Sequence, residues 1–426
     1  MHSASRPSGS SAKRKFSWAE LRATLMGKGV FLNVSAPGHV IPTLGLVAEL
    51  VARGESIAYF EVPRFQAEIE AFGATFHAYP PIRPYPGPGG ANQYYLAPVS
   101  AWCAREWVPQ LLDAVRAERP DYIVHDSLCL WGKIIAQVLG VPAVASVATA
   151  GFCAASFHGC PRLRTRRRAL IAEARVGLRL FRDWRRELEV TFRLPRTLSL
   201  VEVFSNRQPL NLVYLPRALQ PYAEKFGGEH LFVGLCTPAR ENAADFPFAR
   251  LDGRPLVYVS FGTIHNPGPA FFQACIEALG GLHAQVVLVL SPGMEAANLG
   301  VVPENCFVLA NGAAPQLRLL ERAAAFVTHG GGGGMREGAW LGVPMIAVPQ
   351  TYEQEILAAR LAESGAGLML LPSEVTVVSL RTAVGRVLAD KTFGERAGQL
   401  ARESRDAGGA RRAADAILDY AERSRR

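Results

Sequence analysis

Five consecutive glycines, residues 330–334, stand between an apolar run and a segment of helical character. The apolar run, residues 323–327, ends at Thr328 and His329, and the helical segment carries Glu337. A strand, a glycine turn and a helix start in this order predict a place where backbone N–H groups collect and point outward. Such a turn favours a diphosphate, but five glycines can also form a flexible turn that binds nothing.

A second apolar run follows at residues 344–349 and leads into a loop that bears Glu353 and Gln354. The carboxyl ends of parallel strands meet at the same edge of a sheet, which is where α/β proteins bind their ligands. Side chains of Glu353 and Gln354 could therefore hydrogen-bond hydroxyl groups on whatever the diphosphate carries. The order of these features suggests a nucleotide-sugar site.

The rest of the chain alternates strands and helices twice, and at 426 residues it is too long for one ordinary core. This alternation predicts an α/β protein with two doubly wound, Rossmann-like domains that face a central cleft. We expect a disordered extension at residues 1–20, one domain at 21–235, a linker at 236–254, a second domain at 255–408 and a last helix at 409–426. Strands are predicted at residues 30–34, 56–62, 74–79, 121–125, 141–147, 211–215 and 231–235, then at 256–260, 285–290, 306–309, 325–328, 345–348 and 367–370.

Net charge is +9, and the excess is concentrated in an arginine-rich stretch at residues 162–196. A solvated helical face is the favoured interpretation, and a surface for anionic lipid or acidic partners is the alternative. Nucleic acid is not expected as a partner, because no recognised nucleic-acid module accompanies the charge. The seven cysteines are dispersed, which is typical of reduced thiols in a cytoplasmic protein.

Neither a secretory signal nor a membrane-spanning stretch is predicted. The sequence also lacks an Asp-x-Asp motif and any His, Cys or carboxylate cluster with metal-ligand spacing. We therefore expect no metal and no cofactor.

The segment at residues 313–354 resembles the donor-binding signature of family 1 glycosyltransferases, in particular the bacterial branch that glycosylates macrolides and other natural products. The resemblance rests on an ordered set of motifs. These motifs are Pro315-Gln316, Thr328-His329, the glycines at 330–334, Glu337 and Glu353-Gln354. It implies the two-domain GT-B architecture, with the acceptor bound by the first domain, the donor mainly by the second, and a last helix that crosses back to the first.

The first predicted strand ends in a Gly-His pair at His39, followed by Pro42 at the start of a predicted helix. A neutral histidine can remove a proton from a hydroxyl near pH 7, and a helix N-terminus would disfavour its protonated form. The residues alone leave open whether His39 is a base or caps the turn; the resemblance implies the base. Adjacent residues of an extended strand face opposite ways, so only one of His125 and Asp126 can point into the cleft. The resemblance implies that Asp126 is the supporting carboxylate, although it could instead cap the following turn.

The resemblance also implies roles for the donor-site residues. His329 and the amides of Gly331, Gly332, Gly333 and Gly334 would face the diphosphate, Glu337 the ribose, and Glu353 and Gln354 the sugar, while Gln316 belongs to the same signature. Thr263, in a Ser-Phe-Gly-Thr turn, could donate to a phosphate, although a simple ST-turn is as good an interpretation. Most relatives carry a nucleobase-stacking Trp where this chain has Ala313, so the base is not predicted.

An apolar acceptor pocket is expected around the Pro- and Gly-rich loop at residues 80–98, with Tyr94, Trp102, Trp107 and Phe152 as its lining. The predicted activity is inverting, metal-independent transfer of a hexose from a UDP- or TDP-sugar to a hydroxyl of an apolar small molecule, by a monomer or homodimer. Two alternatives stay open. One is a nucleotide-sugar epimerase or hydrolase on the same fold, and the other is a non-catalytic partner protein.

Overall fold

The computed structural model describes residues 27–88, 93–156, 168–194, 198–236, 246–262 and 266–425. The predicted extension at 1–20 and residues 237–245 of the predicted linker at 236–254 therefore lie outside the described residues. Two parallel sheets organise the described chain, and each has helices on both faces, as βαβ connections require.

The first sheet has seven strands in the order β3-β2-β1-β4-β5-β6-β7. Its strands are β1 (Lys28–Leu32), β2 (Ser56–Glu61), β3 (Thr75–Ala78), β4 (Tyr122–Asp126), β5 (Ala143–Val147), β6 (Leu210–Val213) and β7 (His230–Phe232). Its helices are α1 (Pro37–Ala52), α2 (Gln66–Ala71), α3 (Leu96–Glu118), α4 (Leu130–Leu139), α5 (Arg175–Thr191) and α6 (Leu200–Ser205). We call this sheet and its helices the N-terminal lobe.

The second sheet has six strands in the order β10-β9-β8-β11-β12-β13. Its strands are β8 (Leu256–Ser260), β9 (Gln285–Val289), β10 (Cys306–Leu309), β11 (Ala323–Thr328), β12 (Met345–Ala347) and β13 (Gly367–Met369). Its helices are α7 (Pro269–Leu279), α8 (Gln316–Leu320), α9 (Gly332–Leu341), α10 (Tyr352–Ser364), α11 (Val377–Ala389) and α12 (Lys391–Asp406). This sheet and its helices form the C-terminal lobe.

The last helix, α13 (Gly409–Arg425), packs on the N-terminal lobe although it follows the C-terminal one. Its buried residue Ile417 joins the apolar cluster of α1 and β1. Arg53, directly after α1, contacts Asp415 at 2.5 Å, and Arg425 contacts Asp121 at 2.8 Å. This helix therefore ties the two lobes together.

Helix α1 begins five residues earlier than the sequence pattern predicts, at Pro37 rather than Pro42. Pro37 takes the first helical position, where its missing N–H does no harm, and Pro42 lies inside the helix. The prediction that Pro42 starts the helix is therefore wrong, and His39 is part of the first turn rather than a residue before it.

The arginine-rich stretch is described only in part, since residues 162–167 and 195–196 lie outside the described residues. Helix α5 buries Phe181, Trp184 and Leu188 in the N-terminal core and presents its arginines on the opposite face. Some of these charges are paired with carboxylates, as Arg185 is with Glu189 at 3.5 Å. Contact with a membrane surface stays a prediction, and no helix of the described ranges is long and apolar enough to cross a membrane.

Candidate active site

His39 is held at the carboxyl edge of the first sheet by the turn that joins β1 to α1. Asn33, buried directly after β1, donates from its side-chain amide to the His39 carbonyl oxygen at 3.1 Å and to the Tyr59 hydroxyl at 2.8 Å. Its backbone N–H donates to the Tyr79 hydroxyl at 2.9 Å. These bonds leave the turn little freedom, so the position of His39 is set by the core beneath it.

Asp126, the last residue of β4, lies against the His39 ring. The distance from His39 Nδ1 to Asp126 Oδ2 is 2.8 Å, and the Asp126 side chain is fully buried while that of His39 is 14% exposed. The other carboxylate oxygen accepts the backbone N–H of Leu128 at 2.7 Å. A neutral ring protonated at Nδ1 would donate to Asp126 and leave Nε2 free to accept a proton.

The pKa of His39 lies above its ordinary value of 6.5. Burial is the largest single influence and lowers it, but the charge and hydrogen bond of Asp126 and the charge of Glu353 together outweigh burial and the opposing charge of Arg336. The net shift is therefore upward, although a helix N-terminus by itself disfavours the protonated ring. The negative charges of Asp126 and Glu353 therefore stabilise the protonated form of the His39 ring.

His125 faces the other side of the sheet, as the alternation of a strand requires. It is completely buried, its Nε2 lies 2.7 Å from Gln208 Nε2, and burial lowers its pKa to about 4. Of the two adjacent candidates, Asp126 is thus the one that reaches the cleft.

The glycine run forms the turn between β11 and the first turn of α9. Gly330 has a φ of 76°, which favours glycine, and Gly331 caps the helix that begins at Gly332. The N–H groups of a first helical turn have no partner within the helix. Gly332 abuts the N-terminal lobe, because a Cβ built there would lie 3.1 Å from the carbonyl oxygen of Ala148.

His329 lies between two glycines that leave room for its ring. A Cβ on Gly331 would lie 2.3 Å from His329 Nε2, and a Cβ on Gly262 would lie 2.8 Å from His329 Cε1. The ring also lies beside Phe261, with centroids 6.2 Å apart. The absence of side chains at these two glycines is therefore what allows His329 its position beside the turn.

Replacing Gly331 by alanine is expected to displace the His329 ring. UDP or TDP binding should weaken about 10-fold to 100-fold, because the expected charge-assisted contact between His329 and the diphosphate is lost. The backbone itself tolerates alanine, since φ at Gly331 is −69°. Isothermal titration with each nucleotide measures the effect. Gly385→Ala in α11, where nothing lies within 4 Å of the added Cβ, is the matched control and should bind as the wild type does. Unchanged binding by Gly331→Ala would contradict the placement.

Glu353 and Gln354 lie in the first turn of α10, but they do different things. Burial raises the pKa of Glu353, while His39, a hydrogen bond from Thr149 and Arg336 oppose the rise. Glu353 therefore faces the N-terminal lobe beside His39. Gln354 forms a capping box with Thr351, and its side-chain oxygen accepts the N–H of Gln350 at 2.8 Å. That oxygen caps the helix, so the amide nitrogen is the part of the Gln354 side chain that the capping box does not use.

Gln316 and Glu337 are joined in one hydrogen-bond network within the C-terminal lobe. The Gln316 amide donates to the Glu337 carboxylate, and the Tyr258 hydroxyl donates to Gln316 Oε1 at 3.0 Å. Glu337 is 8% exposed. Thr263, the remaining predicted donor residue, lies outside the described residues.

Comparison with known proteins identifies the family. Residues 273–409 match the family model described as the erythromycin biosynthesis protein CIII-like C-terminal domain. The chain is 33% identical to the oleandomycin glycosyltransferase of Streptomyces antibioticus over 90% of this chain and 89% of that protein. It is 32% identical to the NDP-glycosyltransferase YjiC of Bacillus licheniformis over 90% of this chain and 95% of that one. The chain belongs to the bacterial natural-product branch of the family 1 glycosyltransferases.

The solved structures agree with this family. The crystal structure of the glycosyltransferase of kitacinnamycin superposes with a TM-score of 0.79 and 30% identity, covering 93% of this chain and 99% of that one. The two doubly wound sheets are therefore the GT-B fold, and the protein is an enzyme that transfers a sugar.

Two of the predicted acceptor residues of this glycosyltransferase are buried in the N-terminal core. Trp102 and Trp107 are 5% and 9% exposed and lie in the main N-terminal cluster. Their indole N–H groups donate to the carbonyl oxygens of Arg83 at 3.2 Å and Pro80 at 2.9 Å. These bonds anchor the Pro- and Gly-rich loop onto α3, and the acceptor role of the two side chains stays a prediction. Sequence composition does not distinguish an aromatic side chain that lines a pocket from one that anchors a loop.

Tyr94 is 4% exposed and belongs to a small apolar cluster that also contacts Tyr352 and Ile356 of α10. It thus lies where the two lobes of the glycosyltransferase meet. Phe152 lines a cavity that is too small for a drug-sized ligand. The cavity walls are Ser127, Val147, Ala150, Gly151, Phe152, Phe204, Ser205, Asn211 and His230.

Arg336 approaches the site although the sequence motifs do not include it, and Thr149, part of a stretch expected to line the acceptor pocket, hydrogen-bonds Glu353. Arg336 is one of two charged residues between positions 330 and 349, and it is 2% exposed. A lone cation in a run of small and apolar residues is the signal that could have drawn attention to it. Thr149 follows β5 and carries no comparable signal. Across the described ranges, no group of three or more His, Cys, Asp or Glu residues could hold a metal ion.

Proposed function

We propose that this glycosyltransferase moves a hexose from a UDP- or TDP-sugar to a hydroxyl of an apolar small-molecule natural product, with inversion and without a metal ion. The proposal rests mainly on one observation. The His39–Asp126 pair of the N-terminal lobe, joined at 2.8 Å, lies close enough to Glu353 of the C-terminal lobe for that charge to raise the pKa of His39.

In the proposed reaction His39 Nε2 accepts the proton of the acceptor hydroxyl while Nδ1–H donates to Asp126. The acceptor oxygen forms a bond to the anomeric carbon as the bond from that carbon to the diphosphate breaks. The nucleoside diphosphate leaves from the opposite face, so the configuration inverts. Asp126 stabilises the imidazolium that results, and the burial of its side chain strengthens that interaction.

The donor is proposed to bind the C-terminal lobe. The first-turn amides of α9 and His329 would receive the diphosphate, and a helix N-terminus favours the negative charge that develops there. Glu337 would accept ribose hydroxyls, and Glu353 with the amide of Gln354 would bind the sugar. One of the relatives is named oleandomycin glycosyltransferase, which supports a natural product as the acceptor.

Incubation with UDP- and TDP-hexoses and a panel of macrolide and phenolic acceptors, followed by mass spectrometry and NMR, tests this function. We expect an acceptor heavier by one hexosyl unit, with the anomeric configuration opposite to that of the donor, and unchanged turnover in EDTA. Isomerised donor or free sugar without an acceptor product would point to the epimerase or hydrolase alternative. A retained configuration, or loss of turnover in EDTA restored by a divalent ion, would contradict the mechanism.

A further inference from the structure

Arg336 lies on α9, in the second turn after the glycine run, and its side chain is buried at the junction of the two lobes. One terminal nitrogen, Nη1, donates to the carbonyl oxygen of Ala148, which follows β5 in the N-terminal lobe. The residue is 2% exposed. An arginine carries five N–H donors, so one acceptor satisfies only part of it.

The guanidinium extends back toward the start of its own helix, the direction that helical side chains take. Its Nη2 lies 4.0 Å from where a Cβ on Gly333 would stand, and Gly333 belongs to the first turn of α9. The Ala148 carbonyl that it contacts lies 3.1 Å from the corresponding point on Gly332. The charge is therefore located at the glycine turn.

This buried cation is incompletely neutralised by the protein. Its Nε is buried without a hydrogen-bond partner. Among the ion pairs of the described residues none includes Arg336, although Glu337 and Glu353 act on it at longer range. A buried charge without a close counter-ion is costly, so a site that retains one is suited to an anionic ligand.

Arg336 is also close to the proposed chemistry. Its charge lowers the pKa of both His39 and Glu353. A cation near the base and the glycine turn would favour the neutral, proton-accepting form of His39 and would attract negative charge that develops on a leaving group.

We propose that Arg336 binds the diphosphate of the sugar donor and stabilises the negative charge of the departing nucleoside diphosphate. The inference rests on the proposed function, which supplies the diphosphate. It adds a side-chain cation to a cradle that would otherwise consist of amides and His329.

Isothermal titration of Arg336→Met and Arg336→Gln with UDP, TDP and the matching nucleosides tests this role. We expect UDP and TDP affinity to fall about 10-fold to 100-fold, as for loss of a charge-assisted contact, with nucleoside affinity unchanged. Glutamine can still donate to the Ala148 carbonyl, so it separates the lost charge from the lost contact between lobes. Arg336→Lys, which keeps the charge, should recover part of the affinity.

Arg402→Met, an exposed substitution on α12, is the matched control and should bind as the wild type does. The inference would be overturned if Arg336→Gln bound UDP and TDP each with the same affinity as the wild type. A similar loss of affinity for the nucleosides and for UDP and TDP would also overturn the inference, because it would indicate that Arg336 has a structural role. If the wild type itself bound neither nucleotide, the proposed function would fail instead.

Discussion

Replacement of His39 by alanine is expected to lower kcat/KM for sugar transfer by about 10²- to 10⁴-fold, the usual contribution of a general base. Affinity for UDP or TDP should not change, because His39 lies in the N-terminal lobe and the proposed diphosphate cradle in the C-terminal one. Steady-state kinetics and nucleotide titration on the same preparation measure the two quantities.

His283→Ala, an exposed histidine in the C-terminal lobe, controls for the substitution itself and should leave both quantities unchanged. A His39→Ala enzyme that retained wild-type turnover would remove the proposed base. A variant that lost nucleotide binding in proportion to turnover would show that the imidazole organises the site rather than accepting a proton.

Replacement of Asp126 by asparagine is expected to lower the plateau of kcat/KM by about 10²- to 10⁴-fold through a change of tautomer. Asp126 Oδ1 accepts the N–H of Leu128 at 2.7 Å, so the asparagine oxygen would take that place. The NH₂ group of the asparagine would then face His39 Nδ1, and Nδ1 would have to accept a hydrogen bond rather than donate one. The proton would move to Nε2, and the ring could no longer take one from the acceptor.

The same substitution should move the pH profile in a defined direction. In the wild type the pKa of His39 is raised above 6.5 by Asp126 and Glu353, so kcat/KM should fall as the pH drops through a midpoint above that value. Without the Asp126 charge, burial and Arg336 lower the pKa of His39, and the midpoint should shift to lower pH. Asp113→Asn is the control, because the Asp113 side chain is 87% exposed, and it should leave the pH midpoint unchanged. A midpoint that stayed in place would disconnect Asp126 from His39.

The placement of charges across the cleft links donor binding to the base. Glu353 belongs to the C-terminal lobe and raises the pKa of His39, whereas Arg336 of the same lobe lowers it. A bound diphosphate that neutralised Arg336 would weaken the lowering of the His39 pKa by that charge. The carboxylates of Asp126 and Glu353 would then raise the pKa further. The pH midpoint measured with saturating donor should therefore be higher than that measured for the free enzyme.

Local sequence determined the elements of this fold with good accuracy where one pattern acts alone. Strands β8 and β10 have the bounds predicted at 256–260 and 306–309, and the glycine run lies between a strand and a helix as expected. The start of α1 was misjudged because two prolines, Pro37 and Pro42, compete for the first helical position. Hydrogen bonding and the contacts of the turn decide between them.

The sequence by itself determined the α/β alternation and the two sheets, because these depend on patterns among neighbouring positions. Only the tertiary structure decided that Trp102 and Trp107 are core residues, that His39 carries a raised pKa, and that Arg336 lies buried at the glycine turn. Each of these depends on groups more than 60 positions distant in the chain, such as Asp126 for His39 and Ala148 for Arg336, or on burial, which no local pattern encodes.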